Sequence, residues 1–171
     1  MAHEDGQLYW HDPDPRAVFP LERLLPNARL QTFIRSSGYK NTVDERFEAV
    51  MRGCADRQST WITEEMVQVY VELHRLDFAH SVETWKEGEL IGGIYGLSIG
   101  GAFFGESMFS RETNASKAAF YHLSAHLRQR DFTLFDSQYI NDHTRVLGAK
   151  EIGREKFALL LSHALAANTH F

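Results

Sequence analysis

Between Asp44 and Phe109 the spacing of apolar residues changes period once, from three-to-four to two, which excludes an all-helical and an all-β fold alike. Upstream of the change, Phe47, Val50, Met51 and Cys54 stand at i, i+3, i+4 and i+7, the stripe of an amphipathic helix for which Asp44 is the expected N-cap. A second helix is expected after a Thr63 cap, with Met66, Val69, Tyr70, Leu73 and Leu76 on one face. Downstream, Ala79 to Lys86 and Leu90 to Leu97 read as two strands joined by a Glu87-Gly88 turn. Gly92, Gly93 and Gly96 in the second strand predict a bulge or a close approach of another part of the chain. Gly100-Gly101 then turns the chain into a third strand, Ala102 to Phe109.

A long helix is expected from Asn114 to near Arg130, with Phe120, Leu123 and Leu127 inward, followed by a fourth strand from Phe132 to Tyr139. A short helix from Asp142 to Leu147 is stopped by Gly148, and Phe157, Leu160, Leu161 and Ala164 mark a C-terminal helix. The beginning of the chain has little periodicity. Trp10-His11-Asp12-Pro13-Asp14-Pro15-Arg16 reads as a Pro-punctuated turn, with a short extended piece through Phe19. This order of elements suits an α+β fold, a mixed sheet flanked by helices. A single domain over residues 1–171, irregular over 1–40, is expected, and that length is enough to bury one core.

The formal charge of -5 argues against indiscriminate nucleic-acid binding but leaves room for a local basic patch. Arg23, Arg29, Arg35 and Lys40 form the most basic stretch, which is either such a patch or a solvated face. No apolar run approaches the roughly 20 residues of a membrane span. Met1 to Gly6 is too acidic and polar for a signal peptide. The single Cys54 cannot form an internal disulfide, which agrees with a reducing cytoplasm, and its place on a helix's apolar side suggests a buried spectator.

Two strands carry polar groups among apolar ones. Period-two alternation puts Phe104, Glu106 and Met108 on one face of the third strand, and Asp136 and Gln138 with Phe132 and Leu134 on one face of the fourth. A carboxylate on a core-type strand is costly unless it is paired, hydrogen-bonded or in a cleft. These groups therefore mark either a site or solvated strand ends. His122 and His126 have the i, i+4 spacing of a metal clamp, but no Glu-x-x-His pattern or nearby thiolate supports one, and no metal is expected. His143, at a helix start, is expected to be structural.

Longer stretches of text carry more. Gly105-Glu106-Ser107-Met108-Phe109-Ser110-Arg111 with Asn114-Ala115-Ser116-Lys117 resembles the central signature of the leucyl/phenylalanyl-tRNA–protein transferases. Ser59-Thr60-Trp61-Ile62-Thr63, His80-Ser81-Val82-Glu83-Thr84-Trp85, Asp136-Ser137-Gln138 with Asn141-Asp142-His143, and Asp12 to Val18 are similar to further motifs of that family, in the same order. The resemblance runs from Trp10 to Phe157. It implies a fold related to the acetyltransferases (GNAT-like), and transfer of leucine or phenylalanine from aminoacyl-tRNA to a protein beginning with Arg or Lys, which creates an N-degron. No cofactor is implied, because an aminoacyl ester is already activated and the enzyme need only position two substrates and manage one proton.

Residue by residue, the resemblance makes Asp136 and Gln138 the catalytic pair. A neutral Gln is a weak base, so either Asp136 polarises Gln138 as it accepts the amine's proton, or Gln138 orients the amine while the ribose hydroxyl relays the proton. Glu106 would hold the acceptor's cationic N-terminus. Trp85 would pack against substrate, and Ile94, Met108, Phe120, Leu123 and Phe135 would line the donor side-chain pocket. Arg23, Arg29, Arg35 and Lys40 would meet the tRNA. The family ordinarily carries more residues ahead of the Trp10 stretch, among them aromatics that stack on the terminal adenosine, so a weaker hold on the donor is expected. Two other readings stay open: a non-catalytic module that binds basic N-termini through Glu106 and Asp136, and an acyl-coenzyme A N-acetyltransferase. The latter calls for a Gly-rich pyrophosphate loop at a helix start, whereas Gly100-Gly101 precedes a strand.

Overall fold

The computed structural model describes residues 11–171. Met1 to Gly6 and Trp10, named above, lie outside them. The elements in chain order are β1 (Arg16–Phe19), a 3-10 turn (Leu21–Arg23), α1 (Ala28–Ser36), β2 (Lys40–Val43), α2 (Phe47–Ala55), α3 (Glu64–Arg75), β3 (Ala79–Lys86), β4 (Glu89–Ile99), β5 (Ala102–Ser110), α4 (Ala115–Gln129), β6 (Leu134–Gln138), α5 (Asp142–Val146), β7 (Lys150–Ile152) and α6 (Arg154–Leu165). The strands form one seven-stranded sheet in the order β2-β3-β4-β5-β6-β1-β7. Every neighbouring pair is antiparallel except β5 and β6, which the α4 crossover makes parallel. The α+β class read from the sequence is the class of the structure.

Helices cover both faces. On one face α4 buries Phe120, Leu123 and Leu127 against Val82, Ile94, Phe103 and Phe135. On the other, α2 and α3 bury Phe47, Val50, Met51, Cys54 and Val67 against Ala79, Tyr95 and Phe109, while α6 sets Ala164 on Val18, Ala102 and Leu134. No helix among the described residues is long and apolar enough to cross a membrane.

Local chemistry accounts for the elements that position the site. Glu87 (φ 52°) and Gly88 (φ 86°) both occupy the left-handed region, the two-residue turn whose twist suits a tight hairpin between β3 and β4. A Cβ on Gly92 would stand 2.7 Å from the Ala115 Cβ, so the glycine lets α4 begin directly on β4. The second anticipated irregularity is a bulge opposite Gly96, in the β4–β5 pair. Thr63 Oγ1 accepts the Met66 amide at 3.2 Å and caps α3 as expected.

Several expectations need correction. Asp44 does not cap α2: it has φ 59°, continues the β2 ladder through its N–H to Ser81 O, and turns its carboxylate to Ser81 N (2.7 Å) and His80 Nδ1 (2.8 Å). The inner face of α3 centres on Val67, Tyr70, Val71 and Leu73, whereas Val69 and Leu76 are exposed, because the helix leans on α2 through one narrow stripe. Leu160 of α6 is likewise exposed. The strand expected from Phe132 begins only at Leu134. The stretch 1–40, expected to be irregular, contains α1 and ends on Lys40, the first residue of β2, and the sequence reading includes neither β2 nor β7. Leu30, Phe33 and Ile34 of α1 stand at i, i+3 and i+4, a short stripe of which only Leu30 is buried.

Candidate functional site

The pairing of β5 with β6 covers three residues on each strand and ends at Phe104↔Asp136. Beyond it β5 continues to Ser110 and β6 to Gln138 without bonding each other, and a gap opens inside the sheet. This gap forms a cavity of about 1030 Å³ whose wall includes Arg16, Phe19, Trp61, Met66, Tyr70, Ile94, Glu106, Met108, Phe135, Gln138 and His143.

Each strand at the gap carries a bulge where its polar groups sit. In the β4–β5 pair, Tyr95 faces Ser107 and Gly96 faces Gly105, which leaves Glu106 as the extra residue. The alternation read from the sequence therefore breaks at Glu106. Phe104 packs in the α6 cluster and Met108 in the α4 cluster, on opposite faces rather than the shared one expected. In the β1–β6 pair, Ala17 faces Gln138 and Val18 faces Asp136, so Ser137 is the extra residue. Gln138 follows with φ 59°, a left-handed conformation that a non-glycine residue seldom adopts without support. Phe132 and Gln138 consequently do not continue the Leu134–Asp136 face.

That support comes from Asp136. Its carboxylate is fully buried, accepts Gln138 N at 2.9 Å, and pairs with the Arg16 guanidinium, Nη2 donating at 2.6 Å and Nε at 3.1 and 3.2 Å. Arg16 comes from β1, is held over the Phe157 ring at 4.7 Å, and lines the cavity in Asp136's place. A buried carboxylate satisfied by a fork of guanidinium bonds and a backbone amide is an anchor. Asp136 thus fixes the turn that presents Gln138.

Glu106 lies on the wall. Burial pushes its carboxyl up to about 7, and the Asp136 charge adds to the rise, while the Tyr70 hydroxyl and Arg16 pull the other way. A carboxyl poised there changes charge in the neutral range and gains its charge when a cation arrives. Ile94, Met108, Phe135 and Phe19 supply the wall with apolar surface. His143, expected to be structural, lines the cavity with Nε2 at 3.2 Å from Met108 Sδ, and burial lowers its pKa.

Of the residues singled out from the sequence, Glu106, Gln138, Ile94, Met108 and Phe135 converge on the cavity, with Asp136 directly behind. Phe120 and Leu123 lie in the core under α4 and are not on the wall. Trp85 is also off the wall, its Nε1 donating to Thr42 Oγ1 at 2.8 Å across the β2–β3 pair. Arg23, Arg29, Arg35 and Lys40 are exposed and outside the cavity. Cys54 is buried, and that burial pushes its thiol up to about 12. Among the described residues, Asp44, His74 and His80 approach metal-ligand spacing, but away from the cavity and already hydrogen-bonded, His74 Nδ1 to Ala79 O at 2.7 Å and His80 to Asp44. Sequence reasoning missed Arg16 and Tyr70 as site residues. Arg16 stands inside the Asp12 to Val18 motif, and the signal that could have singled it out was the need of a strand-borne Asp for a cation.

The chain is 48% identical to a leucyl/phenylalanyl-tRNA–protein transferase of Gloeobacter violaceus, over 100% of this chain and 89% of that protein. It is 46% identical to the protein of that name from Paramagnetospirillum magneticum, over 99% of this chain and 83% of that one. Among solved structures, L-PGS from Bacillus licheniformis aligns over 87% of this chain and 51% of that chain, with a TM-score of 0.51 at 15% identity, a likeness of fold alone. The family model for leucyl/phenylalanyl-tRNA protein transferases matches residues 18–162, and the chain belongs to that family.

Proposed function

We propose that this chain moves leucine or phenylalanine from aminoacyl-tRNA to the α-amine of a protein beginning with Arg or Lys, creating an N-degron in the cytoplasm. The observation that supports this most is the convergence of Glu106 and Gln138 on one cavity large enough for two substrates, whose wall also carries apolar side chains. The donor's side chain lies against Ile94, Met108 and Phe135. The acceptor's cationic end lies at Glu106, where ionisation of the carboxyl and binding of the cation favour each other.

The amine nitrogen attacks the ester carbonyl carbon, the peptide bond forms, and the ribose oxygen leaves with the proton that the amine gives up. Gln138 touches the reacting groups: its amide oxygen takes a hydrogen bond from the attacking amine and fixes its approach. Asp136 does not reach the substrate and acts as a positioning residue through Gln138 and Arg16. As the amine adds to the ester, negative charge grows on the carbonyl oxygen and positive charge on the nitrogen, which then gives up its proton, and alignment of the two substrates lowers the barrier to that addition. Arg23, Arg29, Arg35 and Lys40, all exposed, suit the body of the tRNA.

The test is label transfer from Leu-tRNA to a peptide beginning with Arg, with the peptide's binding measured in parallel. Transfer that collapses in Gln138→Ala while the peptide still binds is expected. A folded wild-type chain that binds the peptide but transfers nothing would instead identify a module that recognises basic N-termini.

A further inference from the structure

The cavity wall carries charges of both signs. Glu106 lies in the bulge, and Asp136 behind it is neutralised by Arg16. The cations stand elsewhere on the wall, around Met108. Arg57, just past the end of α2, donates from Nη2 to Met108 O at 2.6 Å and Ser107 Oγ at 3.0 Å. His143 reaches the sulfur of the same Met108 at 3.2 Å. Burial and then the charges of Lys117 and Arg57 lower the pKa of His143, and Lys117 follows Ser116, a wall residue in the first turn of α4. Arg111 lines the cavity at the end of β5, its guanidinium 5.5 Å from the Phe109 ring centre.

Arg57, Arg111 and Lys117 form no ion pair among the described residues. Nor does any acid stand in the first turn of α4, the helix that carries Lys117, so the positive end of its dipole adds to the same field. Asp56, beside Arg57 on the wall, and Glu112, next to Arg111 and paired with Lys86, are the opposing charges nearby in sequence.

We propose that Arg57, Arg111 and Lys117 form a seat for the last phosphodiesters of the donor's 3′ strand, and that this seat sets the direction in which the strand runs into the cavity. The inference rests on the transfer reading above and deepens it. A polyanion is repelled from Glu106 and drawn to the cations, whereas the terminal nucleoside and its ester carry no phosphate beyond the 3′ oxygen. The strand therefore lies with its phosphates over Met108 and its ester pointing inward, toward Gln138. The seat is also continuous with the basic stretch of the chain. Tyr39, next to Lys40, donates its hydroxyl to Thr113 O at 3.0 Å, directly ahead of α4.

The experiment compares two donors, Leu-tRNA and the phosphate-free ester 3′-O-leucyl-adenosine, in wild type, Lys117→Gln, Arg111→Gln and Arg57→Gln. Lys156→Gln, on exposed α6, controls for net charge. In the three seat variants the ratio of kcat/KM for Leu-tRNA to that for the nucleoside ester is expected to fall roughly tenfold each. The slope of log kcat/KM for Leu-tRNA against log salt flattens by about 0.7 for each phosphate that no longer meets its cation. Lys156→Gln moves neither quantity. An unchanged ratio and slope, or an equal loss with both donors, would overturn the seat. Wild-type protein inert with both donors would overturn the transfer reading, and the seat with it.

Discussion

Glu106→Gln removes a titration that burial has displaced into the neutral range, and the displacement fixes the size and sign of the effect. The carboxyl is raised from 4.5 to about 7, so the folded chain holds this proton more tightly than the unfolded chain does. Stability linked to that proton is fully present below the unfolded value and is lost as pH rises toward the folded one. The loss is at most about 1.4 kcal/mol per pH unit, or about 3 kcal/mol across the window. Gln is isosteric, keeps a donor and an acceptor for Tyr70, and does not titrate. Urea unfolding followed by tryptophan fluorescence at intervals between about pH 5 and about pH 8 should therefore show the variant gaining on wild type as pH rises, by up to about 3 kcal/mol. The same substitution should weaken binding of a peptide beginning with Arg, and most at the alkaline end, where wild-type Glu106 is charged. Parallel stability curves for the two proteins would refute the argument, because they would mean that folding does not displace this titration.

Three further outcomes are expected. Arg16→Met leaves the Asp136 carboxylate buried without its partner, and chemical denaturation should register a loss of roughly 3–5 kcal/mol. Gly92→Ala drives a methyl onto Ala115 at the start of α4, and unfolding measurements should show a cost of about 1–3 kcal/mol. Tyr95→Phe removes a buried hydroxyl that has no hydrogen-bond partner, so thermal melts should show it neutral or stabilising, by up to about 1 kcal/mol.

What the letters revealed and what they hid divides along the range of the interactions. The α2 stripe, the Thr63 cap, the Glu87-Gly88 turn and the inner face of α4 each rest on neighbours a few residues apart, and periodicity reads them directly. Strands β2 and β7 are short edge pieces whose existence depends on the ladder beside them, so neither carries a period to detect, whereas Leu30, Phe33 and Ile34 of α1 do have helical spacing, over little more than one turn. Asp44 looked like a cap because it is an Asp ahead of an apolar stripe, but its real partners, His80 and Ser81, lie on another strand. Within the site, the literal motifs brought forward Glu106, Asp136 and Gln138. They could not divide Asp136's role from Gln138's, because the division depends on Arg16, 120 residues away along the chain. The motifs also do not say where Trp85, Phe120 and Leu123 lie relative to the cavity: the fold sets the first on the β2–β3 pair and the other two on the inner side of α4.

The two bulges explain why this fold can hold a site at all. A regular β5 paired to a regular β6 would close the gap and send alternate residues strictly to the α4 face or the α6 face, each filled with apolar side chains. A carboxylate on either face would then face hydrocarbon at a cost of several kcal/mol. One extra residue in each strand, Glu106 in β5 and Ser137 in β6, lets the polar groups leave the alternation at the point where the strands part, so the same irregularity opens the cavity and equips it. The left-handed Gln138 is the backbone cost of this arrangement, and the Asp136 carboxylate, itself fixed by Arg16, bears it through the Gln138 amide. Shape and anchoring therefore depend on one another. Removing the carboxylate in Asp136→Ala should release the Gln138 turn and depress transfer, although Asp136 never meets the substrate. Asp136→Asn, which retains an acceptor for the Gln138 amide, should preserve more of it, and equal losses in the two variants would refute the positioning role.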